Sequence, residues 1–201
     1  MSFRIEEKII LNFGNIHDFK LWLKSKKAKK IYPKRNILSV YFDNLKNNMF
    51  IESEEGIVPR KKIRIRYYPN ANSKYLLEEK TSSVEGRFKT SKKISNTEYK
   101  NFLYKGINDK IYGLCFPKVI VNYDREYYLL NKSRVTIDQN IKYSYFKKTH
   151  HFIRENNLVV EIKENINLNK ETKDFFPFQR KRFSKYCRAI SELSIYQNNI
   201  L

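Results

Sequence analysis

Four cations stand at every second position of one short stretch, Arg60, Lys62, Arg64 and Arg66, with Ile63, Ile65 and Tyr67 between and after them. On an extended chain, residues two apart share a face, so the stretch reads as a strand with a cationic side and an apolar side. The pattern recurs. Arg4, Glu6 and Lys8 share a face near the start, Glu78 goes with Lys80, Arg134 with Thr136 and Asp138, and Glu161 with Lys163. Alternation by itself describes a half-buried antiparallel sheet with its charged face in water. Two features point further. Cations spaced by roughly 7 Å repel one another, and a plain solvated strand has no reason to assemble four of them. Isolated carboxylates on the same strands suit a divalent Mg²⁺ or Mn²⁺ ion shared with phosphate oxygens that arginine and lysine hold. The chemistry implied is the gripping of a chain of phosphates beside a metal.

The elements that must carry these residues follow from pattern and punctuation. RIEEKIILNF reads as a strand; Asn15 with Asp18 starts a helix through HDFKLWLKSKKAKK, with an apolar side of Phe19, Leu21, Trp22 and Leu23. ILSVYFDN is a β-branched and aromatic strand, Asn47 to Glu54 a short helix closed by Gly56, and RKKIRIRYY a strand with YLLEEKTS as its hairpin partner. GRFKTSKKI adds another strand, and Ser95 with Glu98 spells a capping box. Pro117 opens KVIVNYDREYYLL; SRVTIDQNIKY, YSYFKKTHHFI and NLVVEIKE also look extended, and Ser184 caps a last helix. About eight strands with few helices between them predict an α+β fold built on a mainly antiparallel sheet. Closed into an eight-stranded barrel with flanking helices, that sheet turns its charged face inward, where unpaired charge is too costly without a polyanion. Neither a linker nor an internal repeat interrupts residues 1–201, which read as a single domain.

Composition narrows the partners. The formal net charge is +20, which makes nucleic acid, anionic lipid, polyphosphate and nucleotide the partners to weigh. Five scattered glycines exclude a P-loop and a Rossmann fingerprint, so nucleotide binding must come from side chains. Cys115 and Cys187 match no metal or redox spacing and read as packing residues in a reducing compartment. His150 and His151, as neighbours on a strand, would point to opposite faces and read as no metal site. Nothing resembles a signal peptide or a spanning helix, so a cytoplasmic protein is expected, with peripheral membrane contact through the basic segment KSKKAKKIYPKR left open. A nucleic-acid-binding module is the rival to an enzyme, since the charge and 15 tyrosines could serve backbone contacts and base stacking.

Taken in order, RIEEK, SVYFDN, KIRIRYY, LLEEKTS, PKVIVNYDR, RVTIDQNI, VVEIK and RFSKY resemble the triphosphate tunnel metalloenzymes. Within them the resemblance is to the vacuolar transporter chaperone (VTC) catalytic domain of polyphosphate polymerases, and it covers nearly the whole chain. It implies that Lys8 is the first-strand lysine, that Arg64 and Arg66 hold the nucleotide's phosphates, and that Lys80 ends the Glu-x-Lys strand. Lys89, or else Arg87, matches the basic residue of the next strand. Arg125 matches the Tyr-x-Arg arginine, Glu161 the metal-holding carboxylate, and Arg182 and Lys185 the cations of the Lys-Phe-Ser-Lys motif. The residues implied to be catalytic are thus Lys8, Arg64, Arg66, Lys80, Arg125 and Lys185, with Arg60, Lys62, Lys89, Arg134 and Arg182 as further phosphate ligands and Glu161 and Glu6 on the metal. The implied reaction moves a phosphate of ATP onto polyphosphate, with Mn²⁺ or Mg²⁺ as cofactor and no specific nucleic acid as partner. Two departures stand out. Arg4 replaces the first glutamate of the hydrolase branch's Glu-x-Glu-x-Lys, which leans toward the polymerases, and Arg182 stands where those usually carry Lys, keeping charge but changing donor geometry. A tunnel triphosphatase and a polyphosphate-binding domain without turnover stay as alternatives.

Overall fold

The computed structural model describes residues 4–69, 75–165 and 178–198. Among these the chain runs β1 (Arg4–Asn12), α1 (Asn15–Ser25), β2 (Lys29–Asp43), α2 (Asn48–Glu55), β3 (Arg60–Tyr67), β4 (Tyr75–Ser83) and β5 (Gly86–Ile94). It continues through α3 (Asn96–Lys105), β6 (Ile107–Asp109), β7 (Gly113–Leu130), β8 (Ser133–Tyr145), β9 (Ile153–Arg154), β10 (Asn157–Asn165) and α4 (Lys185–Asn198). The hydrogen-bonded path is β1-β10-β8-β7-β2-β3-β4-β5, with the short β6 and β9 attached to β7 and β8. This is the α+β, mainly antiparallel architecture that the alternating strands imply, with the expected eight strands on the main path. Among the described residues that path has two ends, at β1 and β5, and is not a hydrogen-bonded ring.

The chain forms two compact units, Met1–Arg35 with Tyr123–Ile141 and Glu155–Phe183, and Asn36–Asn122 with Lys142–Arg154 and Ser184–Leu201. In the first, β10 lies between β1 and β8, with Lys8 opposite Glu161 and Glu161 opposite Thr136. Residues opposite one another share a face, so Lys8, Glu161 and Thr136 sit on one side. Ile9, Leu11, Val135, Ile137, Leu158, Val160 and Ile162 fill the other, where Phe19 and Leu23 of α1 pack on them. α1 stops in a Schellman turn: Ala28 N donates to Leu23 O at 2.9 Å and Lys27 N to Lys24 O at 2.9 Å, with Lys27 left-handed at φ 57°. The turn brings Ala28 against the core beside Leu23 and redirects the chain into β2. The basic stretch KKIYPKR is therefore strand rather than the end of a helix, as the β-branched and aromatic Ile31-Tyr32 and the helix-incompatible Pro33 favour. Asn15 is the first helical residue and not a cap; its N–H is taken by Asn12 Oδ1 at 2.9 Å.

In the second unit, β3 lies between β2 and β4, and β4 pairs in turn with β5. Ile63 and Ile65 are fully buried together with Val40, Phe42, Met49, Cys115 and Val119, while α4 adds buried Tyr186, Ala189 and Leu193. Asp43 closes this core with an unusual load for a buried carboxylate: it accepts from Asn44 N, Met49 N and Phe50 N, and from the Tyr186 hydroxyl at 2.5 Å. The α2 start is fixed by that carboxylate, since its flanking Asn47 makes no side-chain cap. The predicted capping box at Ser95 and Glu98 is present on α3, and Ser184 Oγ accepts from Cys187 N at 3.4 Å at the start of α4. YSYFKKTHHFI is not continuous strand. β8 ends at Tyr145 and the chain turns, so exposed His150 and His151 sit in or beside a turn. No helix among the described residues is long and apolar enough to cross a membrane.

Leu23 is 2% exposed and ties the α1 turn to the core, so Leu23→Ala should cost about 2–5 kcal/mol, read from a shifted urea midpoint at unchanged slope.

Candidate functional site

The second unit gathers the arginine strand. Across β3, β4 and β5 the register lines up Lys62, Lys80 and Lys89 in one row, Arg64, Glu78 and Ser91 in the next, Arg66, Leu76 and Lys93 beyond, and Arg60, Ser82 and Arg87 on the other side. Twelve positions of one face thus hold eight cations and one carboxylate. Like charges directly opposite on neighbouring strands destabilise a sheet. The middle of this face is withdrawn from water, with Arg66 8% exposed and Glu78 3%, while its β5 row, Arg87, Lys89, Ser91 and Lys93, is exposed. Glu78 holds the group together. Its Oε2 takes Arg64 Nε and Nη2, each at 2.7 Å, with Arg66 Nε at 3.6 Å, and its Oε1 takes the Lys89 ammonium. Burial alone would raise its pKa, but Arg64, then Arg66 and Lys89, bring it down to about 2. Burial pushes the Lys89 ammonium below its ordinary value despite Glu78.

β2 supplies the next row of that face, with Tyr41 opposite Arg64 and Ser39 opposite Arg66. The Tyr41 hydroxyl accepts from Arg64 Nη1 at 2.9 Å, and its ring stacks on Tyr186 at 5.3 Å between centroids. Burial would raise this phenol's pKa, yet the field of Arg64, Lys185 and Arg66 holds it below the ordinary tyrosine range. Lys185, on the first turn of α4, is itself 8% exposed. Lys62 Nζ donates to Ser184 Oγ at 2.8 Å. Ser39 Oγ is fully buried and has no hydrogen-bond partner among the described residues, an orphan hydroxyl beside the cations.

The first unit gathers a different set. Arg125 grips Asp138 through two bonds, Nε to Oδ1 at 2.5 Å and Nη2 to Oδ2 at 2.7 Å, and lies over the Tyr123 ring. Its Nη2 is 3.8 Å from Glu161, whose other oxygen is 2.7 Å from Lys163 Nζ. Lys163 is also 3.8 Å from Glu6, and Lys8 is 3.6 Å from Glu6 while donating to Phe183 O at 2.8 Å. Three cations here face three carboxylates. Burial would lower the Arg125 pKa, but Asp138 holds it well above the ordinary arginine value.

Glu6 and Glu161 can be tested as metal ligands on this geometry. A single cation, the Lys163 ammonium, already reaches both. Hard carboxylate oxygens suit Mg²⁺ or Mn²⁺, and Mg²⁺ characteristically takes one or two carboxylates and completes its shell with water and substrate phosphates. No group of three or more His, Cys, Asp or Glu assembles among the described residues. The pair fits an ion shared with phosphate and not a protein-only cage.

The remaining sequence-derived candidates fall outside these bonds. Arg60 donates to Gly56 O and Ile57 O at 3.2 and 2.9 Å, where it secures the chain after α2. Arg134 is half-buried opposite Lys163, and Arg182 is exposed just before α4. Sequence reasoning did not single out Tyr41, Ser39 or Lys163 as site residues, nor Asp138 as the partner of Arg125. Asp138 and Lys163 stood in the alternation, but their partners are set by register.

The VTC domain model matches residues 3–114 and 110–194, and the chain belongs to the VTC domain family. Among solved structures, one from Bacillus halodurans, provisionally assigned as an adenylate cyclase, aligns with a TM-score of 0.63 at 15% identity over 93% of this chain and 97% of that one. A Pyrococcus horikoshii protein gives 0.61 at 13% over 94% and 99%. A provisionally assigned adenylyl cyclase from Hippeastrum, described as having a dominant triphosphatase activity, gives 0.56 at 16% over 94% and 96%. These likenesses establish a shared fold. No curated protein sequence matches significantly.

Two outcomes follow from the ion pairs. Asp138→Asn leaves the buried Arg125 charge poorly matched and should cost about 3–5 kcal/mol by urea denaturation, whereas Asp138→Leu combined with Arg125→Met should recover most of it. Glu78 ordinarily titrates near 4.5 but near 2 in the fold, so its stabilisation is complete above the first value and lost as pH falls toward the second. The stability difference between wild type and Glu78→Gln should therefore be level above about pH 5 and shrink steadily below it; a difference unchanged down to about pH 3 would contradict the assignment.

Proposed function

We propose that this chain is a polyphosphate polymerase-like phosphotransferase, working as one VTC-like domain over residues 1–201, that moves the terminal phosphate of ATP onto a polyphosphate chain. The observation that carries the reading is the β3–β5 face, where eight cations are crowded into twelve positions. Such a face is unstable against its own repulsion and is relieved by a ligand with several negative charges. Membership of the VTC domain family supports the same reading.

In this reading Arg64, Arg66, Lys80 and Lys185 bind the phosphate oxygens of the nucleotide, with Lys62 and Lys89 at the margin and the Ser39 hydroxyl as a further donor. Arg64 is already aimed by two fixed partners, Glu78 and Tyr41, which lowers the cost of ordering it around the ligand. Lys8 and Arg125 are the phosphate-facing cations of the first unit, and Glu6 and Glu161 would hold the divalent ion. That ion, when bound, would neutralise charge on the phosphate oxygens. The attacking oxygen is the terminal oxygen of polyphosphate, already ionised: its bond to the transferred phosphorus forms as the bond to ADP breaks. No general base is required, and the protein supplies alignment and charge.

A tunnel triphosphatase is the second reading, favoured by one observation: Glu78 lies within the cation group and could orient a water. Held ionised down to a pKa of about 2, however, it is a feeble proton acceptor. Purified protein given ATP with Mn²⁺ or Mg²⁺, with and without a short polyphosphate primer, decides between them. Long phosphate chains on a gel are expected; free phosphate alone would establish the triphosphatase, and no turnover with either metal would favour a binding module. Arg64→Ala and Glu161→Gln should each reduce turnover by about a hundredfold or more with the fold retained.

A further inference from the structure

β2 brings two hydroxyl side chains to the cationic face, and the folded chain leaves a donor unused on each. Ser39 and Tyr41 lie two residues apart on that strand and so share a side, opposite Arg66 and Arg64 respectively. Both are withdrawn from water, at 0% and 5% exposure. The Ser39 hydroxyl has no hydrogen-bond partner among the described residues. Tyr41 is half satisfied: its oxygen accepts from Arg64 Nη1 at 2.9 Å, while its own proton meets no acceptor among the described residues. A hydroxyl both donates and accepts, so the donating half of Tyr41 stands idle in a buried setting.

A buried donor left unmade lowers the stability of a fold. A phenylalanine at 41 and an alanine at 39 would avoid that loss. The neighbours show which partner the donors lack. Burial works to raise the Tyr41 pKa, and the field of Arg64, Lys185 and Arg66 outweighs it. None of those three side chains can accept a hydrogen bond. Glu78 is the carboxylate of the group, and its oxygens are taken by Arg64 and Lys89. What completes the set is a further acceptor with negative charge. Tyr41 is held ready for one, since its ring stacks on Tyr186 with the planes 19° apart and the Tyr186 hydroxyl is tied to Asp43. The bond from Arg64 also polarises the phenol and strengthens its O–H as a donor.

We propose that Tyr41 is a phosphate-contacting residue, donating its hydroxyl to an oxygen of the bound phosphate chain, and that with Ser39 it makes β2 a neutral donor edge whose unmet hydrogen bonds lower the stability of the free protein. The inference rests on the polymerase-like reading, within which this edge completes with hydroxyls a site otherwise built from cations. Neutral donors grip phosphate oxygens without adding repulsion to a face that already holds eight cations.

Calorimetric titration of wild type, Ser39→Ala and Tyr41→Phe with inorganic tripolyphosphate, alongside urea denaturation of the free proteins, tests it. Each variant should bind tripolyphosphate about tenfold or more weakly. The urea midpoint of free Ser39→Ala should equal or exceed that of wild type, whereas a hydroxyl with a purely structural role would lower the midpoint and spare the affinity. In an Arg64→Ala background Tyr41→Phe should still weaken binding; no further loss there means that the hydroxyl acts only by holding Arg64, and overturns the direct contact. ATP should show the same losses as tripolyphosphate, and losses confined to ATP would set the hydroxyls against the nucleoside and overturn the proposal. Unchanged affinity in both variants overturns it and leaves the polymerase reading intact, while a wild type that binds neither ligand removes that reading and this inference with it.

Discussion

The second unit depends on one buried carboxylate set against a crowd of positive charge. Without Glu78, Arg64, Arg66 and Lys89 would oppose one another across a face where Arg66 has little water to screen it. With it, the arginines are held in extended, paired positions on the strand. One carboxylate does not match in number the eight cations that share this face. Structural integrity and the proposed binding of phosphate chains thus draw on the same residues.

The first unit solves the same problem differently. Its three cations and three carboxylates form a continuous chain from Lys8 through Glu6, Lys163 and Glu161 to Arg125 and Asp138, balanced in charge. Asp138 is wholly buried and fixes the Arg125 fork in one orientation. Glu161 meets both the Lys163 ammonium on its own strand, at 2.7 Å, and Arg125 Nη2, at 3.8 Å.

Much of this was readable in the sequence because period-2 alternation is a direct imprint of the strand. Arg64 and Arg66 against Ile63 and Ile65 fixed both the element and its two faces, and Ser95 with Glu98 fixed the start of α3 from local chemistry alone. What alternation leaves out is register. That Glu78 meets Arg64, or that Lys62, Lys80 and Lys89 share a row, depends on how strands slide past one another, and a shift of one residue would exchange every partner. Lys27 shows another limit: a left-handed turn usually carries glycine, so a lysine there gave no sign that α1 ends and β2 begins so early. Arg60 keeps the alternation yet spends its guanidinium on backbone carbonyls, which spacing cannot distinguish from ligand binding.

Tyr186 is gripped at both ends, its ring by Tyr41 and its hydroxyl by Asp43, and it directly follows Lys185. In evolutionary terms this couples two distant positions. A phenylalanine at 186 would leave the Asp43 carboxylate short of a donor in a dry core, and a leucine at 43 would strand the phenol, so each change is tolerable mainly in the company of the other. Residues 43 and 186 should therefore drift as a pair among relatives of this chain, with position 41, whose ring stacks on Tyr186, tied to them through that contact.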